Sequence, residues 1–357
     1  MSRGSLAERL AAEIRSQGPL SASAFIDAAL YDPDGGFYTR PGDNGRAGRR
    51  GDFLTAPEVG PLFGAVVADA LDTWWAEAGE PDRWIVRDVG AGPGTLGRAI
   101  LAAAPRCLQT GALRLQLVEI SASQRALHPV DAAISSIATD VSATGRCDVV
   151  VANELLDNLP FDMAERSPDG WREVLVDVED GEFVESLGSL VDELGEIRAE
   201  LGARLPVARR AVDWIRQARA TGARLVLFDY AAPTEELLSR GGWLRTFRDH
   251  GAGSEWLVDP GSQDITVDLP VEQIVAASDR PSVRSQAEFL EIHGLSALVE
   301  EGRALWEAGA ATGGLAALKG RSRIREAETL VDPEGMGAFT VFEWPPNPGT
   351  GRSSGAE

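Results

Sequence analysis

The segment "WIVRDVGAGPGTLGRAILAAA", residues 84–104, decides the fold. It begins with an apolar run typical of a buried strand, continues through a glycine-rich turn, and ends with apolar residues at helical spacing. A strand, a tight turn and a helix in this order open a βαβ unit. The sequence therefore predicts a sheet that is mainly parallel.

The same alternation continues to about residue 232. "LRLQLVEI", "CDVVVANE" and "ARLVLFDYAA" are strand-like, whereas "SASQRALH" predicts a helix that opens with a capping box of Ser121 and Gln124. An insertion at residues 161–222 contains "WREVLVDVEDGEFVESL", which predicts a hairpin turning at Asp180-Gly181, followed by a helical piece. We expect an α/β fold with helices on both faces of a Rossmann-like sheet.

Further regions flank or interrupt this core, which we place at residues 81–345. Residues 1–80 are predicted to be helical around a Gly-rich, lid-like loop, and "TAPEVGPLFGAVVADALDTWW" has apolar residues at helical spacing. Residues 233–285 look loop-rich, another helical stretch lies near 285–320, "AFTVFEW" predicts a final strand, and we predict a disordered tail at 346–357. A chain of 357 residues can hold one core with large insertions or two lobes.

Composition excludes several classes of protein. A net charge of −21 works against binding a nucleic-acid backbone, and no apolar run approaches the about 18 residues that span a bilayer. The N-terminal sequence resembles neither a secretory signal nor a transit peptide, so we expect a cytoplasmic protein. The two cysteines and three histidines lack ligand-like spacing, so we expect no metal.

The turn "DVGAGPGT" predicts a binding site for an extended polar cofactor. Gly90, Gly92 and Gly94 let the backbone turn tightly and approach a ligand, and the helix that follows offers free N–H groups. Asp88 and Thr95 bound the turn, and we expect both to border the cofactor. An ordinary tight turn between strand and helix is the alternative.

Two cofactors match this pattern. A dinucleotide is possible because Gly92, Gly94 and Gly97 satisfy G-x-G-x-x-G, and Glu119 closes the next strand about 25 residues on. That register begins two residues beyond the strand, however, and Pro93 stiffens the turn. The pattern looks more like the nucleoside-binding loop of class I methyltransferases, in which an acid at the position of Glu119 accepts both ribose hydroxyls. A solvated strand end is the alternative for Glu119.

The stretch "CDVVVANELLDNLPFD", residues 147–162, delivers polar groups to the end of a buried strand. Ligands lie outside the carboxyl ends of strands in a doubly wound sheet, so we expect Asn153, Glu154 and Asp157 to border the methyl-transfer site. Two carboxylates can hold a cationic acceptor such as Arg and help remove its proton. In the alternative interpretation Asp157 starts a helix and Glu154 is a solvated loop residue.

Two other candidates have competing local explanations. Asp140 lies where class I methyltransferases place an adenine contact, at the end of the third strand. An exposed aspartate in a turn is an equally good interpretation of this residue. Glu58 lies in "TAPE", where Thr55 and Glu58 also form a helix-capping pattern.

Seven segments follow one another along the chain: "YDPDGGFYTR", "GDFLTAPEVGPLFG", "DVGAGPGT", "ANELLDNLPFD", "LRTFRDHGAG", "DPGSQDITVDLPVEQI" and "PEGMGAFTVFEW". They resemble, in the same order, the blocks of a named family, the mitochondrial complex I assembly methyltransferase and its bacterial relatives, known as the MidA family. The resemblance implies a class I methyltransferase fold, S-adenosylmethionine as methyl donor with S-adenosylhomocysteine as product, and a protein acceptor. It also implies an arginine as the methylated residue and a respiratory-complex subunit as a possible partner.

The resemblance assigns roles to residues of this chain. Gly90, Gly92 and Gly94 would border the donor, and Glu119 would bind its ribose. Asn153, Glu154 and Asp157 would lie on the methyl-transfer side. Asp52, Thr55 and Glu58 would form a lid-like motif. Departures from the family pattern include Ala56, Leu155-Leu156, Asn158 and Pro93, and "FDYAAP" lacks a glycine after Asp-Tyr. The donor site looks intact, whereas the acceptor can differ.

The sequence leaves competing functions open. The first is methylation of a protein side chain, the second is methylation of a small molecule, and the third is a non-catalytic assembly chaperone that binds the donor. The sequence offers no convincing hydride-transfer site, which argues against a dehydrogenase. The oligomeric state, monomer or homodimer, is also left open.

Overall fold

We analysed a computed structural model that describes residues 4–39, 55–138, 145–248, 251–309 and 313–347. The N-terminal region and the first half of the core contain these elements: α1 (Leu6–Gln17), β1 (Leu20–Ser21), α2 (Ala22–Tyr31), α3 (Ala56–Val59), α4 (Pro61–Glu77), β2 (Trp84–Val89), α5 (Thr95–Ala103), α6 (Arg106–Gln109), β3 (Leu113–Val118), α7 (Ala122–Arg125), β4 (Ile134–Ile137) and β5 (Val149–Asn153).

A short 3₁₀ helix, Leu156–Asn158, follows β5. The insertion and the second half of the core contain these elements: β6 (Asp162–Ser167), β7 (Gly170–Glu179), β8 (Glu182–Leu190), β9 (Arg204–Val207), α8 (Arg209–Ala220), β10 (Arg224–Asp229), β11 (Ala231–Ala232), α9 (Thr234–Arg240), β12 (Leu244–Arg248), β13 (Gly251–Gly253), β14 (Asp264–Val267), β15 (Leu269–Pro270), α10 (Val271–Val275), β16 (Ser282–Ser285), α11 (Gln286–Ile292), α12 (Leu295–Gly309), α13 (Leu315–Leu330) and β17 (Thr340–Trp344).

The central sheet has seven strands in the order β16-β17-β10-β5-β2-β3-β4. Strands β10, β5, β2, β3 and β4 run parallel, and β17 is antiparallel to both of its neighbours. The chain leaves β2 toward β3 and β4 and returns to β5 on the other side of β2, so the switch point lies between β2 and β5. This topology confirms the predicted doubly wound sheet with β5 beside the first core strand.

The alternation of side chains along β5 shows why the sheet is covered on both faces. Val149 and Val151 pack into a core with α4, whereas Val150 and Ala152 pack into a second core with the insertion and the N-terminal helices. All four side chains are buried. The predicted helix before β2 is likewise real, although Gly60 divides it into α3 and α4.

The insertion does not fold separately from the N-terminal region. Its strands form a five-stranded sheet to which β1 contributes, with Leu20 opposite Val176. The predicted hairpin is present, and both Asp180 and Gly181 have positive φ, as a two-residue hairpin turn requires. The N-terminal segment and the insertion therefore make one layer.

Two predictions of local structure were wrong. The helix after β3 is a single turn, and the Ser121 side chain caps nothing; its hydroxyl contacts Ser123, while its backbone N–H donates to Glu119. Residues 233–285 were expected to be loop-rich but include a small sheet in the order β13-β12-β14, whose short strands show too few residues for a clear period. Within the described residues, no helix combines the length and apolarity that crossing a bilayer requires.

Candidate active site

A cavity of about 580 Å³ opens at the carboxyl ends of β2, β3 and β5. The glycine turn and the ends of β2 and β3 form one half, which we call the donor half. Helices α2 and α8 form the other half, together with Glu58, Glu154 and residues 158–160, and we call it the acceptor half. The cavity thus lies at the switch point, where the sheet topology predicts a ligand.

The three glycines of the turn have positive φ values, a conformation that would be strained in a residue with a side chain. Gly90, Gly92 and Gly94 have φ values of 74°, 52° and 79°. A Cβ atom on Gly94 would lie 2.9 Å from Cδ of Pro129 and 3.0 Å from Cδ1 of Leu117. Gly90 and Gly92 line the cavity, whereas Gly94 allows the turn into α5 and close packing behind it.

Glu119 holds the end of β3 against the glycine turn. Its Oε2 accepts the Gly92 N–H at 3.0 Å and its Oε1 accepts the Ser121 N–H at 2.7 Å. Burial raises the pKa of this carboxyl, and the two backbone N–H groups act in the opposite direction. Each oxygen keeps acceptor capacity for a hydroxyl donor in the cavity, as the predicted ribose contact requires.

Three acceptor oxygens in the cavity wall are buried and lack a hydrogen-bond partner among the described residues: Asp88 Oδ2, Gln124 Oε1 and Asn153 Oδ1. Unpartnered buried acceptors are costly, so they indicate a ligand rich in donors. S-Adenosylmethionine carries an ammonium group, two ribose hydroxyls and an adenine amino group. Burial, and then the charge of Glu119, raises the pKa of Asp88 to about 7, and a bound cation would favour its ionised form.

Glu154 follows β5 and faces the cavity. Its Oε1 accepts two bonds, from the Ala56 N–H at 3.2 Å and from the Asn153 side-chain amide at 3.0 Å. None of the described residues donates a hydrogen bond to Oε2. Burial, and then the charge of Asp157, raises the pKa of Glu154 to about 8.

Glu58 also faces the cavity and does not cap α3. Its Oε1 accepts the Thr95 hydroxyl at 2.6 Å, so the carboxylate joins α3 to the start of α5. Thr55 is the residue before α3 but makes no side-chain cap bond, and it lines the cavity beside Glu58. The capping interpretation of "TAPE" was therefore wrong.

Asp157 was predicted to border the methyl-transfer site, and this placement was wrong. The short 3₁₀ helix after β5 turns its side chain inward, where Oδ2 accepts the Thr266 hydroxyl at 2.7 Å. Asp157 is 4% exposed and does not line the cavity. Asp52 and Asp140 lie outside the described residues, so their predicted roles stay predictions.

Several lining residues were not singled out in the sequence. The acceptor half has three aromatic side chains and two exposed carboxylates, namely Tyr31, Tyr38, Trp214, Asp27 and Asp213. The Tyr31 and Tyr38 rings stack with centroids 5.7 Å apart, and Tyr31 donates to the backbone oxygen of Asn158 at 2.9 Å. An aromatic wall with carboxylates is suited to a cationic ligand.

The strand order with an antiparallel last strand, the glycine turn after the first core strand and the acid closing the second together define a class I S-adenosylmethionine-dependent methyltransferase. The profile of the family described as "Putative S-adenosyl-L-methionine-dependent methyltransferase" matches residues 66–286. The match spans more than half of the chain, and the chain belongs to this family. The dinucleotide interpretation of the glycine turn was therefore wrong.

Similar proteins agree with this assignment. The crystal structure of "a COG1565 superfamily member and likely methyl transferase from Burkholderia thailandensis bound to S-adenosyl-homocysteine" superimposes with a TM-score of 0.80 at 28% identity, covering 95% of this chain and 91% of that one. The "Protein arginine methyltransferase NDUFAF7 homolog, mitochondrial" of Drosophila melanogaster is 27% identical over 74% of this chain and 68% of its own. The Xenopus tropicalis "Protein arginine methyltransferase NDUFAF7, mitochondrial" is 27% identical over 82% of this chain and 76% of its own.

Proposed function

We propose that the protein transfers a methyl group from S-adenosylmethionine to an arginine side chain of another protein. The observation that carries this proposal is the acidic lining of the cavity: among the described residues it comprises six carboxyl groups, Asp27, Glu58, Asp88, Glu119, Glu154 and Asp213, and one guanidinium, Arg210. Asp88 and Glu119 belong to the donor half. Of the others, Asp213 already pairs with Arg216 at 3.1 Å, and Asp27, Glu58 and Glu154 are placed to attract a cationic acceptor.

Glu154 and Glu58 suit a guanidinium better than a neutral acceptor. A guanidinium is planar and donates paired hydrogen bonds to carboxylate oxygens. Glu154 Oε2 has no bond from the described residues, and Glu58 approaches the same cavity from α3. Together they would hold the acceptor nitrogen in one orientation beside the donor half.

The chemistry also needs a base. Bound S-adenosylmethionine supplies a methyl group activated on a sulfonium. When the acceptor nitrogen forms its bond to this methyl carbon, it must lose one proton, and Glu154 is the carboxylate placed to accept it. Burial raises the pKa of Glu154 to about 8 in the free cavity, so its ionised form, which a bound sulfonium and guanidinium would favour, is a stronger base than an exposed glutamate. The neutral thioether leaves as S-adenosylhomocysteine, which balances charge and atoms.

The names of the relatives support the same acceptor, because they are called protein arginine methyltransferases. A respiratory-complex subunit as acceptor and a cytoplasmic location stay predictions. Small-molecule methylation and a non-catalytic donor-binding protein are the outcomes against which the proposal is tested.

The test uses donor with a labelled methyl group and an extract of cells from which the gene has been deleted. We expect label in methylarginine after hydrolysis of the protein fraction. Glu154→Gln should abolish this label, whereas Glu13→Gln, the same change on the exposed face of α1, should retain it. Label in small molecules or in other amino acids would contradict the arginine proposal. Donor binding without any transfer would favour the chaperone.

A further inference from the structure

Glu154 has a backbone conformation that needs support. Its φ is 51°, in the left-handed region that residues with side chains seldom adopt. Its N–H makes a bond to the Phe228 oxygen at 2.8 Å, at the end of the contact between β5 and β10. Beyond this bond the chain turns sharply into the 3₁₀ helix. A strained residue in a functional cavity persists only when its surroundings hold it.

Asp229, the last residue of β10, supplies that support. Its Oδ2 accepts the N–H groups of Leu155 and Leu156, at 3.3 and 2.8 Å. Its Oδ1 accepts the Tyr230 N–H at 3.0 Å. The side chain is almost completely buried, with 1% exposure. One carboxylate therefore ties the neighbouring strand to the two residues that follow Glu154.

Asp157 is a second buried carboxyl group in the turn that follows Glu154. Burial raises the pKa of both Asp157 and Asp229, and the charge of Asp157 raises the pKa of Asp229 further. Asp157 is itself fixed by the Thr266 hydroxyl of β14. Neither Asp157 nor Asp229 lines the cavity, so neither side chain reaches the donor or the acceptor.

We infer that Asp229 is a positioning residue for methyl transfer, because it holds the turn that aims the Glu154 carboxylate into the cavity. The inference rests on the proposed function, in which Glu154 binds the acceptor and takes its proton. If Oδ2 is lost, the N–H groups of Leu155 and Leu156 lose their acceptor and the left-handed turn loses its support. The Glu154 carboxylate then moves away from Ala56 and from the acceptor.

The test compares Asp229→Asn with Asp148→Asn. An Asn side chain has only one acceptor oxygen, so at residue 229 it cannot serve both Tyr230 and the turn. Asp148 lies just before the opposite end of β5, where its Oδ2 accepts the Ile85 N–H at 2.7 Å, and it does not line the cavity. The second variant therefore makes the same chemical change away from the site.

Two measured quantities, amide exchange near Glu154 and kcat, are expected to change only in Asp229→Asn. Amide hydrogen exchange in peptides covering residues 154–158 should become at least about tenfold faster. The kcat for methyl transfer should fall about 100-fold, as expected when a reacting group is misplaced. Affinity for S-adenosylhomocysteine should stay within about threefold, because Glu119 and Asp88 are untouched. Asp148→Asn should leave exchange in this segment and kcat unchanged.

The exchange measurement needs no acceptor, so it separates this inference from the proposed function. If the wild type methylates something other than arginine, the proposed function fails while exchange still reports on the turn. Unchanged exchange, unchanged kcat, or an equal loss of donor binding and turnover would each overturn the positioning role. If Asp229→Asn does not fold, hydrogen exchange in the wild type provides the test. The Leu156 amide should then exchange as slowly as the amides of β5. Fast exchange at Leu156 would refute the inference.

Discussion

Replacing Glu154 with Gln should make the free protein more stable at alkaline pH. The pKa of Glu154 is raised from 4.5 to about 8, by burial and then by the charge of Asp157. Between these two pH values the folded protein binds more protons at this residue than the unfolded chain does. The free energy of unfolding therefore falls as pH rises through this range, and it is lowest above the folded pKa.

The magnitude follows from the same values. Each unit of pKa difference between the folded and unfolded protein is worth about 1.4 kcal/mol, so the full shift of Glu154 corresponds to about 5 kcal/mol. Because Glu154 faces an open cavity, water offsets part of this cost, and we expect about 2–4 kcal/mol. Gln cannot ionise, so Glu154→Gln should match the wild type at low pH and exceed it by this amount at high pH.

Urea unfolding of both proteins at about pH 5 and about pH 9 measures the effect. Asp88 and Asp264, whose pKa values are also raised to about 7, contribute pH dependence to both proteins, so the difference between the two isolates Glu154. If the two stabilities differ equally at both pH values, the Glu154 carboxyl is not held in a costly environment. Glu154 would then not be an unusually strong base.

Two other substitutions test the scaffold of the site. Gly94→Ala should lower the free energy of unfolding by about 2–5 kcal/mol in urea, since its positive φ adds strain and its Cβ would lie 2.9 Å from Pro129. Gly79→Ala has a similar φ in open space and should cost only about 1–2 kcal/mol; equal costs would show that packing behind the turn is unimportant. Glu326→Ala should destabilise by about 1–2 kcal/mol in thermal unfolding, because its buried carboxylate accepts the Leu62 N–H at the start of α4. An unchanged melting temperature would show that the cap contributes nothing.

The parts of this protein that depend on local sequence were predictable. The four apolar residues Val149–Ala152 indicated a strand buried on both faces, and the glycines after β2 indicated a tight turn at a ligand. The position of Glu119 at the cavity was predicted from its distance along the chain and from its place at the end of a strand, while its contact with a ribose stays a prediction. In each case the feature depends on neighbours within one βα unit.

The parts that depend on distant contacts were not predictable. The placement of Asp157 depends on a 3₁₀ turn and on Thr266, which is remote in sequence. Glu58 fitted a local capping pattern, and only the packing of α3 against α5 directs it to Thr95. Trp214 reaches the cavity from α8 and shares a core with the N-terminal helices, an arrangement that no periodic pattern in the sequence records.

The division of the cavity into a donor half and an acceptor half underlies the roles of Glu119 and Glu154. Calorimetric titration of S-adenosylhomocysteine into the wild type, Glu119→Ala and Glu154→Gln tests this division without knowledge of the acceptor. We expect Glu119→Ala to bind about 100-fold more weakly, because hydroxyl contacts to a carboxylate are lost, and Glu154→Gln to bind within about threefold of the wild type. Normal binding by folded Glu119→Ala, or an equal loss in Glu154→Gln, would contradict the division.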